Sequence, residues 1–307
     1  MVKIIINPFS GKGSRIWEEI KKKIEALGIE YDFVITTKEK EATYLAKKIQ
    51  EQGFKNIFIV GGDGSINEVI NGLNFKDISL GVIPAGCGND FAKMIGIKNI
   101  NDGISSILSG YKKLVDVGFA NDNYFINNLG IGLDAYVVYI QKRFKNIKGK
   151  FTPLERKLYR SSSFLTRFSY LTPTLKALFN FLPFSAEIES GDFKFSGQVL
   201  SISIGNGRCH GGIFMLTPYA QIDDGLLDIC VIKKTNRLKR FFNLYKAIKG
   251  THLSLKEVEI FRARDFSISS QEPFFIHFDG EFFAHPINKL EVKVLNKQLQ
   301  FSVPKIE

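Results

Sequence analysis

Several features are scarce in this sequence. Three cysteines among 307 residues, an odd and widely spaced set, exclude a disulfide scaffold and fit a reducing compartment. No apolar run approaches the ~18 residues of a membrane-spanning helix. The opening apolar stretch stops at Asn7-Pro8, too soon for the core of a signal peptide, so a cytoplasmic location is expected. No internal repeat or low-complexity tract is present. With 44% apolar and 24% charged residues, a mainly disordered chain is excluded. The length is about twice that of a usual domain, and two domains are expected.

Acidic residues are missing from two segments. The formal charge is 42 − 31 = +11, but residues 141–167 carry nine Lys/Arg against Glu155 alone, and 233–249 carry seven against none. These segments sum to +15 and leave −4 for the rest. Aromatic residues are interleaved in both, among them Phe144, Tyr159, Phe241, Phe242 and Tyr245. A lone basic run reads as a solvated face. Two runs carrying more than the whole net charge favour a polyanionic surface, and an anionic membrane suits the aromatic content. Nucleic acid would suit the charge equally but is not the expected partner.

The first half alternates strand and helix. Lys3–Ile6, Tyr31–Thr36, Asn56–Val60 and Ser79–Ile83 read as buried strands. Helices are expected from a Ser14 cap onward, over Glu41–Gln52 and over Ser65–Leu73. Repeated strand–loop–helix units imply a parallel sheet covered on both faces. After about residue 120 the pattern changes. A strand at Tyr124–Leu129 and a helix-leaning stretch over 135–182 precede strands at 186–189, 193–204, 226–232, 256–261, 265–269, 274–278 and 290–302. The fold class expected is α/β in two domains. Residues 1–122 form a Rossmann-like nucleotide-binding α/β domain, and 123–307 a mostly antiparallel β-sandwich domain whose last strand could return to the first.

Three loops of the first half carry chemistry. Asn7–Gly13 is glycine-rich and joins a strand to a helix, but it lacks the Walker A spacing, and by itself an ordinary turn explains it. Gly61-Gly62-Asp63-Gly64-Ser65-Ile66-Asn67-Glu68 leaves an all-apolar strand. Its glycines allow close approach of phosphates, and Asp63 makes sense beside a phosphate only if Mg²⁺ lies between them. Pro84–Phe91 repeats the arrangement with Asn89 and Asp90. Two such loops on neighbouring strands favour a nucleotide-phosphate and Mg²⁺ site with Asp63 and Asp90 as ligands.

Together, Asn7-Pro8-x-Ser10-Gly11, the Gly61–Glu68 run and Gly86-x-x-Asn89-Asp90-Phe91 resemble the catalytic-domain family of diacylglycerol kinases, which includes bacterial soluble lipid kinases, sphingosine kinases and ceramide kinases. Later segments extend the likeness. Asn127–Asp134 is similar to the family's approach to its second domain, and Ala220–Asp228 to the loop that holds a structural Mg²⁺ in bacterial members. Phe278-Asp279-Gly280-Glu281 is similar to the family's late Asp-Gly-Glu. Phosphofructokinases and NAD kinases share the Gly-Gly-Asp-Gly loop but neither the Asn89-Asp90-Phe91 segment that follows it nor the late Asp279-Gly280-Glu281.

The resemblance implies ATP as phosphoryl donor, Mg²⁺ as cofactor and a lipid hydroxyl as acceptor, with diacylglycerol the first expectation. ATP contacts carry over to Asn7, Pro8, Phe9, Ser10 and Gly11, to Gly62–Glu68, to Thr36 or Thr37, of which spacing to Ala42 favours Thr36, and to position 87. At that last position Cys87 replaces the family threonine, and a weakly bonding thiol replaces a hydroxyl. The structural metal would be held by the Asp224 carboxylate and the backbone oxygens of Gln221 and Leu226, although a tight Asp-Asp-Gly turn needs no ion. One of Asp279 and Glu281 would take the lipid proton. Read without the family, Asp279-Gly280 is a hairpin turn. Cys209-His210 has no companion at ligand spacing and reads as structural. The reading is a cytoplasmic, peripheral lipid kinase on an anionic membrane surface, and a homodimer is compatible with it. A soluble-metabolite kinase of the NAD kinase type and a non-catalytic membrane-binding protein with a kinase-like fold are the alternatives.

Overall fold

The structure is a computed structural model that describes residues 1–10, 13–148 and 174–305. The first half runs β1 (Val2–Ile6), α1 (Gly13–Ala26), β2 (Tyr31–Ile35), α2 (Glu41–Glu51), β3 (Asn56–Gly61), α3 (Asp63–Ile70), β4 (Ser79–Pro84), α4 (Asp90–Met94) and α5 (Ile100–Leu108). The strands pair in parallel in the order β2-β1-β3-β4, with Ile5 opposite both Val34 and Ile59.

Strand alternation sends successive residues to opposite faces. Ile4, Ile6, Phe58 and Val60 pack with Trp17, Ile20 and Ile24 of α1 and Ile104 of α5. Ile5, Ile57 and Ile59 pack with Ala42, Ala46 and Ile49 of α2, Ile66 and Val69 of α3, and Phe91 of α4. Both faces are covered, as the unbroken apolar runs require. Two helices begin earlier than the sequence suggested: α1 starts at Gly13 rather than at a Ser14 cap, and α3 at Asp63 rather than Ser65. In α3 the extended Gly62 is the cap residue and makes no side-chain cap bond, so no capping signal was there to read.

The second half comprises β5 (Lys112–Ala120), β6 (Asn123–Phe125), β7 (Asn128–Gly132), α6 (Leu133–Lys148), α7 (174–180), β8 (Phe184–Glu189), β9 (Lys194–Gly205), β10 (Leu227–Lys233), α8 (Arg237–Lys249), β11 (Val258–Ala263), β12 (Asp265–Phe278) and β13 (Glu281–Ser302). Apart from one contact of β13 its pairings are antiparallel. The expected strands at 265–269 and 274–278 are one strand, whose register shifts between Ser269 and Phe274. The expected strand at 290–302 reaches back to Glu281.

That strand joins the two halves. β13 pairs antiparallel with β12 and β5, then lies parallel to β4 at Gln300↔Ser79 and Phe301↔Leu80. Phe301 is fully buried against Phe91, ring centroids 4.8 Å apart. All described strands belong to one continuous sheet, and the crevice along it is where the polar loops converge.

Candidate active site

A cavity of about 530 Å³ opens where the β3–α3 and β4–α4 loops face α6, α8 and the β12–β13 turn. Its polar end is made by backbone packed too closely for side chains. A Cβ on Gly86 would stand 2.6 Å from the Gly62 Cα, and one on Gly62 2.9 Å from the Gly86 Cα. Glycine is the only residue that fits at either contact. The two loops are thereby locked edge to edge, and Asn89 Oδ1 accepts the Gly86 N–H at 2.9 Å.

Asp63 and Asp90 meet across this junction. The Asp63 oxygens accept the N–H groups of Asp90 and Phe91, both at 3.0 Å, and Asp90 Oδ2 accepts the N–H of Gly212 at 2.7 Å. A Cβ on Gly88 would lie 3.4 Å from Asp63 Oδ2 and 3.5 Å from Asp90 Oδ2, so both carboxylates border one small space. Burial, and then the neighbouring Asp90 charge, push the Asp63 carboxyl up to about 6. Among the described residues Lys93, 3.7 Å from Asp90 and itself exposed, is the cation that offsets this pair.

Asp279 and Glu281 have different surroundings. Asp279 and Gly280 both adopt positive φ and form a two-residue hairpin turn. The Asp279 carboxylate is buried and accepts four hydrogen bonds: Asn67 Nδ2 and Ile126 N at 2.9 Å on one oxygen, Asn127 N at 2.9 Å and Asn128 N at 2.7 Å on the other. Burial pushes its pKa up, against the pull of these four donors. It ties the turn to α3 and to the strand leading into the second half. Glu281, about two-fifths exposed, projects into the cavity. Its Oε2 accepts from Lys142 of α6 at 2.7 Å, and its Oε1 lies 3.3 Å from where a Gly64 Cβ would be. Lys142, which the sequence placed in a membrane-facing basic run, therefore lines the site.

The other expected residues divide. Asn7, Phe9, Ser10, Gly62, Gly64, Ser65, Glu68 and Cys87 line the cavity. Asn7 Nδ2 bonds Ser65 Oγ at 3.0 Å, and Glu68 accepts from Ala42 N at 3.2 Å. Ile66 is fully buried in the core, and the hydroxyl of buried Thr36 is given to the Ile6 carbonyl at 3.3 Å, so neither side chain reaches the cavity. Asn67 is spent on Asp279 and the Tyr124 carbonyl. Pro8 does not line the cavity, and Gly11 lies outside the described residues.

The loop at Gln221–Leu226 does not fit a divalent cation. Asp224 Oδ2 pairs with Arg262, while its Oδ1 accepts the Leu226 N–H at 3.0 Å. Arg262 also stands 3.4 Å from buried Asp228. A guanidinium already neutralises the carboxylate. No group of three or more His, Cys, Asp or Glu side chains able to hold a metal occurs among the described residues.

One polar cluster had no sequence signal. Asp134, at the start of α6, receives Ser203 Oγ at 3.1 Å and lies 3.3 Å from His210 Nδ1 and 3.4 Å from His277 Nε2. Burial pushes Asp134 up, but the two imidazoles prevail and hold it below the usual carboxylate range. These residues are far apart in the chain, and only the pairing of β12 with β7 and of β7 with β9 assembles them. Beyond the cluster the cavity turns apolar, walled by Leu133, Val137, Leu178, Leu200, Ile232 and Leu244.

Known proteins share this plan. The family described as "Diacylglycerol kinase catalytic domain" matches residues 1–120, and "YegS C-terminal NAD kinase beta sandwich-like domain" matches 154–300. A diacylglycerol kinase of Staphylococcus saprophyticus is 32% identical over 91% of this chain and 88% of its own length. One from Staphylococcus carnosus is 30% identical over 95% and 92%. The chain belongs to the diacylglycerol kinase-like lipid kinase family. Members are phosphotransferases with an alcohol group as acceptor. The crystal structure of a diacylglycerol kinase from Bacillus anthracis strain Sterne superposes with a TM-score of 0.70 at 21% identity, covering 98% of this chain and 96% of that one, and supports the fold. In this lipid kinase no helix among the described residues is long and apolar enough to cross a membrane.

Proposed function

We propose that this lipid kinase transfers the γ-phosphoryl group of ATP to the hydroxyl of diacylglycerol at a membrane surface. The observation that carries the reading is one cavity with two ends: phosphate-accommodating glycine loops at one and an aliphatic wall at the other. An aliphatic wall suits an acyl chain better than the polar acceptor of a soluble-metabolite kinase.

ATP is polyanionic, yet eight carboxylate side chains line the cavity against three Lys/Arg, namely Lys40, Lys142 and Arg240, among the described residues. A nucleotide enters such a site only with a cation. Asp63 and Asp90 suit Mg²⁺, which is held by one or two carboxylates together with substrate phosphates. When bound, Mg²⁺ neutralises the phosphate oxygens between which charge moves. The glycine loops and the N-terminus of α3 present N–H groups to the phosphates.

Glu281 is the general base. Asp279 has four donors on its two oxygens and serves as a positioning residue. Glu281 has an exposed carboxylate with a single lysine partner beside Gly64. The acceptor O–H proton passes to Glu281, the acceptor oxygen bonds to the γ-phosphorus, and the bond to the β-phosphate oxygen breaks, releasing ADP. The test is transfer of labelled γ-phosphate to diacylglycerol in phosphatidylglycerol-containing vesicles, beside sphingosine, ceramide and NAD. Labelled phosphatidic acid is the expected product. Transfer only to NAD, or ATP turnover indifferent to every lipid, would overturn the reading.

A further inference from the structure

Helix α8 divides its surface in two. Asn236 caps its start, accepting the Lys239 N–H at 2.9 Å, and Gly250 closes it at φ +70. Its inner stripe is Arg240, Leu244 and Ala247. The Arg240 guanidinium is buried and hydrogen-bonds the carbonyls of Leu178 at 2.9 Å and Phe181 at 2.8 Å, fastening α8 to α7. Leu244 and Ala247 wall the apolar end of the cavity.

The outer stripe is exposed, and Lys249 at the end of the same helix lies with its Nζ 4.5 Å from the Tyr245 ring centroid. Leu238 is 72%, Phe242 80% and Tyr245 61% exposed. At about 100° per residue these three fall within an arc of about 60°, on the opposite side from Arg240, Leu244 and Ala247. On the same scale Arg237 stands about a quarter-turn to one side, Lys239 and Lys246 about a quarter-turn to the other, and Lys249, in the last turn, falls within the arc between Leu238 and Phe242. Lys239 pairs with Glu257, whereas Arg237, Lys246 and Lys249 have no acidic partner among the described residues. A largely apolar stripe with cations at its edges and one at its C-terminal end is the pattern of a helix lying in a membrane interface, with rings among acyl chains and ammonium groups at the headgroups.

We infer that α8 is the membrane-docking element, and that its outer face sinks into an anionic bilayer while its inner face forms the wall along which the acceptor lipid enters. The inference rests on the lipid-kinase reading for its second half only. A second copy of the chain fits poorly, since a twofold contact would set two acid-free faces against each other. Nucleic acid fits poorly because the face is mainly aromatic and aliphatic, with Lys249 within it and the other cations at its margins.

The experiment uses the full chain and vesicles of phosphatidylcholine with increasing phosphatidylglycerol. The chain has one tryptophan, Trp17, buried in the first half, so Phe242→Trp adds a reporter on the outer face. Its emission is expected to shift to the blue as anionic vesicles are added. Leu238→Ser with Phe242→Ser should weaken co-sedimentation by about tenfold at any salt. Arg237→Gln with Lys246→Gln should weaken it only at low salt, where charges are unscreened. All four positions are exposed or half-buried, and a thermal melt checks that each variant is folded. Undiminished sedimentation of the serine variant, or sedimentation without any shift of the reporter, would place docking elsewhere. A blue shift that grows with protein concentration and needs no vesicles would assign the face to a second copy, and binding to DNA but not to vesicles would also overturn the inference. Vesicle binding without phosphoryl transfer would sink the kinase reading and leave docking intact. Transfer to a dispersed short-chain diacylglycerol without vesicle binding would do the reverse.

Discussion

Two acidic loops of this molecule use the same residue type to opposite ends. At the β3–α3 and β4–α4 junction, Asp63 and Asp90 face a shared space, and among the described residues an exposed lysine at 3.7 Å is what offsets them. In the loop at 221–228, Asp224 and Asp228 face Arg262, and the nearby buried Asp116 accepts the N–H groups of Gly225 and Lys297. The second loop carries its own cation and is complete. The first is left short of positive charge and its carboxylates repel one another, which is what the proposed place for a cation arriving with the substrate requires. Asp279 and Glu281 repeat the contrast two residues apart, one saturated with donors and one open to the cavity.

The largest effects should come from the incomplete set. Asp63→Asn should lower phosphoryl transfer by about 10³-fold, some 4 kcal/mol of transition-state stabilisation. It should leave the melting temperature unchanged or raised, because a repelled charge is removed. Glu281→Gln should cost about 10²-fold or more in turnover, with the fold intact. Asp279→Asn should behave as a structural change, lowering stability by about 2–3 kcal/mol because an acceptor of four donors is weakened. Turnover rates and urea unfolding of the three variants separate these roles. If Asp279→Asn lost turnover with full stability while Glu281→Gln kept it, the two assignments would have to be exchanged.

Stability should depend on pH through the same pair. An Asp63 carboxyl that titrates at about 6 when folded and near 3.8 when unfolded binds more protons in the native state between those values. Stability is therefore lost as pH rises from about 4 to 6, by at most about 3 kcal/mol from this group. The Asp63→Asn variant lacks that loss, so its stability relative to the parent should climb over the same interval and then level off. A difference flat from pH 4.5 to 7 would show that Asp63 is not held under repulsion.

How much of this could be read beforehand follows from how local each feature is. The parallel half was legible because its strands are continuous apolar runs, each ending in a glycine loop, and because Ile4, Ile5 and Ile6 need two covered faces. The two-residue turn at Asp279-Gly280 was equally legible. Its carboxylate's task was not, since three of its four donors are backbone N–H groups about 150 positions away. Lys142 and Glu281 lie 139 positions apart, and a basic run gave no sign that one of its members turns inward. Lys145 and Lys148, grouped with Lys142 as docking cations, have side chains outside the described residues. Gly11 is outside them too. The early start of β13 was hidden by Pro286 and the polar residues around it, which interrupt alternation without ending the strand.

The complete loop makes the counter-prediction. Arg262→Gln should lower stability by about 2 kcal/mol, less than for a fully buried pair because the guanidinium is two-fifths exposed. It would leave buried Asp228 without a counter-charge. The Asp63→Asn variant, in which the first loop is silenced, should melt at the same temperature with chelator or Mg²⁺. Loss of thermal stability on chelation in that background would mean that Asp224 holds a metal after all.

The smallest effect tests whether the first loop also lacks anything besides charge. Cys87 is exposed on the cavity wall between Gly86 and Gly88, where both flanking residues hold backbone against neighbouring loops. A thiol there donates weakly. Cys87→Thr would add a hydroxyl at the phosphate end without disturbing the glycine contacts, and one hydrogen bond is worth about 1 kcal/mol. A several-fold lower KM for ATP at unchanged kcat is the expected result, since the bond would form in the ground state and the transition state alike. A fall in kcat instead would mean that the wall is already closely fitted to the nucleotide and that the thiol's bulk, rather than its bonding, is what position 87 supplies.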